Sequence, residues 1–381
     1  MIETALKLRA ALDGAPYDWL VLGSAPHVAY STGYRSVAGD LFDAHRMLAL
    51  VSVDRVVLVG GASDGAAALE TGISPEDYVP FGTFYFESVG GEAVESQLAG
   101  RHDSLNDAVA AATALAGLTG RVGFDTGAAD LAPALSTMGA DVVDATDWMY
   151  ELRAVKLPGE LEMLRRGARL AEQGIDNAIE AAAAGVSEIE LANVVAVTMA
   201  AGGGTPRFTV VTSGPRSALS DARPTERELR PGDLLRFDVG CTVEGYWSDI
   251  GRTAVVGKAD NLQASRYAAI LAGEQAQLEM VRPGITAADL FDVAVSTVEA
   301  SGLDPYRRHH CGHAIGTEVY ERPVIAPGSS TVLEPGMVFC VETPYYEIGW
   351  GGMMVEDALV VTADGAEVLT ISDRSLRVIE P

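Results

Sequence analysis

Five side chains able to ligate a metal ion follow one another in the C-terminal half of this 381-residue chain: Asp238, Asp249, His313, Glu342 and Glu356. The run Leu-Leu-Arg-Phe-Asp238-Val-Gly and the segment Tyr-Trp-Ser-Asp249 lie on either side of a turn near Val243-Glu244-Gly245. A two-residue turn at Val243-Glu244 would set Asp238 and Asp249 directly opposite each other. Val-Phe-Cys-Val-Glu342 and Met-Met-Val-Glu356-Asp357 flank a Gly-rich turn around Gly349 in the same manner. Like charges directly opposed on a sheet repel, so two such pairs call for a cation. Carboxylate oxygens suit hard divalent ions and a single imidazole suits a transition metal. Four carboxylates and one His can hold two ions.

Those hairpins need a framework. From residue 151 to 381 the texture suggests an α+β layer. Leu152-Arg-Ala-Val-Lys156-Leu-Pro158-Gly-Glu160 opens a long helix with Pro158 in its first turn, and Leu161, Leu164, Ala168, Ala171 and Ile175 keep the helical period. Ser187-Glu-Ile-Glu190 is a capping box that starts a second helix. A strand follows at Phe208–Thr212, then the first acidic hairpin, then two helices over residues 261–301 broken at Pro283-Gly284. The His cluster, the second hairpin and a strand near Ala358–Val361 complete the order. Two helix-pair-plus-hairpin units would fit an old duplication. Residues 1–150 read as a smaller α/β domain. It has strands at Trp19–Leu22, Met47–Ser52, Arg55–Val59 and, more weakly, Arg121–Phe124, and an Ala-rich helix within Glu92–Ala116. No G-x-G-x-x-G follows a strand and no P-loop occurs, so nucleotide binding has no support.

Composition narrows the setting. Two domains suit this length, and 48% apolar with 21% charged residues describes a soluble globular chain. The net charge of −26 opposes nucleic acid as a partner. Cys241, Cys311 and Cys340 cannot all pair and form no CxxC spacing, which points to a reducing, cytoplasmic setting. The N-terminus lacks an apolar h-region, and no apolar run of about 18 residues occurs; neither a signal peptide nor a membrane span is expected.

The surroundings of the five ligands carry a resemblance. Asp238-Val-Gly240, Gly245-Tyr-Trp-Ser-Asp249-Ile-Gly-Arg-Thr253, His309-His-Cys-Gly-His313-Ala-Ile-Gly316, Glu342-Thr-Pro and Trp350-Gly-Gly-Met-Met-Val-Glu356-Asp357 together resemble the creatinase/aminopeptidase P/prolidase family, the pita-bread metallohydrolases. The likeness covers essentially the whole chain. It implies a creatinase-like N-terminal domain before a pita-bread catalytic domain with a curved antiparallel sheet. It also implies a homodimer and two divalent ions, Mn, Co, Zn or Fe. Asp238 would chelate one ion, Asp249 and Glu356 would bridge both, and His313 and Glu342 would bind the other. Two adjacent cations acidify a shared water, and Glu342 could accept its proton. His309 matches a further active-site histidine. Because His309 and His310 would point oppositely on a strand, His310 is read as structural.

The chain departs from the family's peptidases at three points. Asp221 and Tyr320 stand where those carry His, and Met354 where they commonly carry Arg. An ionised Asp only accepts hydrogen bonds, so Asp221 would favour a cationic group or act as base, unless it merely caps its loop. Tyr320 would act as a donor of high pKa or fill space, and Met354 would line a pocket. Cys311 reads as a buried inert thiol, Cys241 and Cys340 as core, Trp350-Gly-Gly as turn geometry, and His27 as surface or structural, with a contact to a partner's site also open. The expected function is hydrolysis of an amide bond in a short peptide or other small substrate, Xaa-Pro dipeptidase- or aminopeptidase-like. The alternatives are creatinase-like hydrolysis or a metal-dependent lyase reaction on a small zwitterion, and a non-catalytic binding protein.

Overall fold

Apolar strands build both sheets. The computed structural model describes residues 2–42, 44–86 and 102–380, in two units, Met1–Leu152 and Arg153–Pro381. In the first unit β1 (Trp19–Leu22), β2 (Leu48–Val51), β3 (Val56–Gly61), β4 (Tyr78–Phe81), β5 (Arg121–Phe124) and β6 (Asp141–Asp144) form one sheet in the order β4-β3-β2-β1-β5-β6. Leu20, Leu22, Ala49, Val51 and Leu58 enter one core; Trp19, Val21, Leu48, Leu50, Val57 and Val59 enter another. Burial on both faces explains why these strands read as continuous apolar runs. The two strands with little sequence signal, β4 and β6, are the edges. There Pro80 loses no ladder bond and polar Asp141 and Asp144 stay exposed. The Ala-rich helix runs Leu105–Ala116; Glu92–Arg101 of the expected segment lies outside the described residues.

The second unit contains β7 (Thr205–Ser213), β8 (Leu234–Val243), β9 (Tyr246–Trp247), β10 (Ile250–Val256), β11 (Gly312–Ala314), β12 (Glu321–Val324), β13 (Val338–Glu342), β14 (Tyr345–Glu347), β15 (Gly351–Met353), β16 (Glu356–Val361), β17 (Ala366–Val368) and β18 (Arg377–Ile379). The main sheet follows β12-β11-β13-β16-β10-β8-β7. Leu235, Phe237, Val239, Cys241 and Val243 of β8 share a core with the helices Pro158–Ala181 and Glu188–Ala201. Each large side chain buried there contributes about 1.5–3 kcal/mol. Alternation leaves Arg236 and Asp238 on the opposite face. Likewise Phe339 and Val341 of β13, with Leu359 and Val361 of β16, pack with the helices Asn261–Met280 and Ala287–Ala300, leaving Glu342 and Glu356 on the other face.

Local departures from expectation have simple causes. The long helix begins at Pro158, capped at Leu157 with Glu160 returning to the Leu157 N–H, whereas Leu152–Ala154 end the preceding helix. Proline at the first helical position and the extended residue before it set that boundary. Between the helices, Arg153 and Lys156 turn onto Glu321 of β12; the Lys156 ammonium lies 2.6 Å from its carboxylate. These two cations outweigh burial and hold Glu321 at about 2.

Candidate metal centre

The first acidic hairpin turns at Glu244-Gly245, not Val243-Glu244. Both turn residues take positive φ, 51° and 78°, the type I′ geometry that matches strand twist. Val243 therefore pairs with Tyr246, and Asp238 faces Gly251 instead of Asp249. The correction is a shift of two residues, so the pleat still places Asp238 and Asp249 on one face. They meet as diagonal neighbours. The second hairpin does place Glu342 directly opposite Glu356, and Gly251 pairs with Glu356 to bring both hairpins together.

β11 lies beside β13 and delivers His313 opposite Cys340. The His313 Nδ1 lies 3.1 Å from the Ala314 carbonyl. A carbonyl can only accept, so Nδ1 carries a proton and Nε2 is the ring atom left to ligate a metal. That Nε2, Asp249 Oδ1 and Glu356 Oε2 are buried without a hydrogen-bond partner. One ligating atom from each of Asp249, His313 and Glu356 lies within 4.8 Å of the others. Buried polar atoms ordinarily have partners, so three orphaned donors converging on one space fit a cation.

The charge states agree. Burial first, then repulsion by Asp249, pushes Asp238 up to about 7. Burial also raises Asp249 and, with four neighbouring carboxylates, lifts Glu356 well above its ordinary value. Glu342 moves the other way. Burial would raise it, but the His310 hydrogen bond and the Arg308 charge hold it low.

The remaining candidates separate clearly. His310 is buried, with Nε2 2.8 Å from Glu342 Oε1, whereas His309 is exposed and touches His310 ring to ring at 4.1 Å. The segment is irregular, not a strand, and it turns His310 onto Glu342 in place of His309. Tyr320 stacks on His313 at 3.7 Å, with its hydroxyl 3.3 Å from His310 Nε2. Asp221 is exposed in a turn and accepts a hydrogen bond from the Ser220 hydroxyl. Met354 is buried with Sδ 4.0 Å from the Arg236 guanidinium. Cys311 is a buried free thiol pushed up to about 12 by desolvation, and Cys241 and Cys340 are equally buried. His27 is buried, 2.7 Å from Asp125.

Sequence reasoning passed over two groups. Arg236 is buried and bonds to the carbonyls of Ser217, Leu219 and Ser220 and, at 3.1 Å, to Asp238. Its place two residues before Asp238 was the available signal. Arg308, 3.7 Å from Glu342, sits in irregular chain and gave none.

A model of metallopeptidase family M24 matches residues 162–363, and one of the creatinase/prolidase N-terminal domain matches residues 5–155. The chain belongs to metallopeptidase family M24. That places it among the hydrolases, as the resemblance implied. This M24 chain is 34% identical over 232 residues to a Xaa-Pro dipeptidase of Pyrococcus furiosus, covering 60% of this chain and 67% of that protein. It is 35% identical over 236 residues to a probable dipeptidase, PepE, of Mycobacterium tuberculosis, covering 61% and 63% respectively. Among solved structures, a Xaa-Pro dipeptidase from Bacillus anthracis aligns with TM-score 0.81 at 26% identity over 99% of both chains. An X-Pro aminopeptidase from Thermotoga maritima shares the fold, with TM-score 0.82 at 22% identity over 98% of this chain and 99% of that one. The expected architecture, a smaller α/β domain before a pita-bread domain, is borne out. No helix among the described residues is long and apolar enough to cross a membrane.

Proposed function

We propose that this M24 chain is a dinuclear metal-dependent dipeptidase that cleaves the amide bond of short Xaa-Pro-like substrates. The observation that carries this reading is the convergence of Asp249, His313 and Glu356, whose buried donor atoms lack protein partners. Asp238 and Glu342 flank them and complete the ligand set for two divalent ions. When bound, such ions neutralise the carboxylates, polarise a carbonyl and acidify water.

The chain's own groups supply the rest. Glu342, held ionised by His310, is the proton acceptor. His310 fixes its carboxylate, taking the part first assigned to His309. Tyr320, its phenol kept protonated by desolvation and the carboxylates around it, donates toward the substrate or its leaving nitrogen. The converging donors speak against a non-catalytic scaffold. A cytoplasmic homodimer belongs to the same reading, and three buried free thiols suit a reducing compartment.

The test is metal analysis of the purified protein together with hydrolysis of Ala-Pro and Gly-Pro before and after chelation. About two equivalents of metal, and activity lost on chelation and restored by Mn²⁺ or Co²⁺, are expected. Absence of stoichiometric metal and of hydrolysis with Mn²⁺, Co²⁺, Zn²⁺ or Fe²⁺ would overturn the proposal.

A further inference from the structure

The two ligand-bearing hairpins meet in the sheet where Gly251 of β10 pairs with Glu356 of β16. Whatever holds that seam also sets the spacing between Asp249 on one hairpin and Glu342 and Glu356 on the other. The next residue of each strand, Arg252 and Asp357, points to the opposite face, where a buried network grips the seam from behind. Arg252 Nη1 donates to the carbonyls of Gly251 and Glu356, at 2.9 and 2.6 Å, and Nη2 donates to Asp357 Oδ1 at 2.7 Å. Asp357 also accepts from the Thr370 hydroxyl and from Arg374 Nε, which tie it to the C-terminal segment. Tyr267 in turn gives its hydroxyl to the Arg374 carbonyl at 2.6 Å.

One member of this network receives no donor. Glu274, on the helix Asn261–Met280, is wholly buried, and neither of its carboxyl oxygens accepts a hydrogen bond. Arg374 Nε is committed to Asp357 and stands 3.6 Å from Glu274 Oε1, beyond hydrogen-bond reach. What Glu274 does meet, in hydrogen-bonding contact, is the Asp357 carboxylate. Two carboxyl groups bond to each other only when one carries a proton. Asp357 is the ionised member: burial works against it, but Arg252, the Glu274 hydrogen bond and Arg374 hold it at about 2. Glu274 is the acid, kept protonated well above the ordinary carboxylate range by burial and by the Asp357 charge. Arg374 and Arg252 are the other charges that face it, and Tyr267 lies on its own helix.

We propose that Glu274 is a positioning residue of the metal centre: as a neutral acid it donates a hydrogen bond to Asp357, which orients Arg252 and so fixes the Gly251–Glu356 seam. The role rests on the reading of the acidic cluster as a metal site. An ionised Glu274 would set a second buried anion against the first, and an apolar residue would take one donor away from Asp357. Losing a group that supports a ligand from behind costs about 10- to 100-fold in metal affinity, and Glu274 acts on Glu356 at two removes, so the expected loss is about tenfold.

The experiment uses the full chain with Glu274→Gln, which keeps a neutral donor of the same length, and Glu274→Leu, which keeps the volume without the donor. Mn²⁺ affinity is measured calorimetrically at pH 6.5 on protein that unfolds cooperatively in urea. E274Q should bind as tightly as the wild type, and E274L about tenfold more weakly. At that pH an ordinary glutamate is ionised, so the infrared band of a protonated carboxyl group in Mn²⁺-loaded wild type, absent from E274Q, would identify Glu274 as the acid. Absence of that difference overturns the role, as does a loss in E274Q equal to that in E274L. Should E274L fail to fold, E274Q and the infrared band decide alone. A wild type that binds no Mn²⁺ would sink the metal reading and this role together, whereas wild-type affinity in E274L would sink this role alone.

Discussion

Asp238 and Glu342 share one anionic cluster yet titrate in opposite directions. Asp238, pushed up to about 7 by burial and Asp249, binds a proton in the folded state that the unfolded chain has released from about pH 4 upward. Its contribution to stability is therefore complete at low pH and is lost as pH rises through about 7. Asp249 and Glu356 are raised as well and act in the same sense. Glu342 is lowered, so its contribution is present above its unfolded value and lost as pH falls. Within this cluster the raised groups outnumber the lowered one, so the cluster's contribution in metal-free protein weakens as pH rises. A cation reverses the three raised carboxylates by making the ionised form the favoured one. The stability gap between Mn²⁺-loaded and chelated protein should thus widen from pH 5.5 to pH 8, by a few kcal/mol at about 1.4 kcal/mol per pKa unit. Paired urea titrations measure it. A gap that is constant, or narrows, would mean these carboxylates do not titrate as a cation site.

At the scale of elements, position is set by backbone devices more than by side-chain pattern. β11 is only three residues long, yet it carries His313. Gly312 sits at φ 127°, and a Cβ there would lie 2.2 Å from the Cys340 carbonyl oxygen. Gly312→Ala must strain or shift that strand. It should destabilise the protein by more than about 1 kcal/mol and weaken Mn²⁺ binding at least tenfold, because His313 moves with the backbone. Calorimetry of metal binding to folded mutant checks this, and wild-type affinity would contradict it. The same element explains what the sequence left unread. The two acidic hairpins were legible because apolar, strand-like runs adjoin Asp238, Glu342 and Glu356, and the acids' shared face followed from the pleat. The register did not, because Val243-Glu244 and Glu244-Gly245 are equally turn-like until backbone φ is known. His310 was passed over because its segment is neither strand nor helix, so no periodicity says where it points. Asp221 was singled out by position, and the structure sets it in an exposed turn.

For the whole molecule the governing quantity is charge. With 53 acidic against 27 basic residues, the folded chain carries a self-repulsion that grows as it compacts. Some of the strongest favourable pairs are buried, Lys156–Glu321 at 2.6 Å and Arg252–Asp357 at 2.7 Å, and salt screens those far less than it screens the surface. Screening should therefore remove more repulsion than attraction. Raising KCl from 0.05 to 1 M shortens the Debye length from above 10 Å to about 3 Å and should raise Tm by several degrees. Chloride is the appropriate salt because sulfate also stabilises by exclusion from the surface. The same field opposes entry of an anionic substrate, so KM for a dipeptide acid should fall with salt while KM for its amide stays level. A lower Tm at high salt would show that surface ion pairs outweigh the net repulsion. A KM that rises with salt for the acid would show that a local cationic group, and not the acidic surface, dominates the potential at the site.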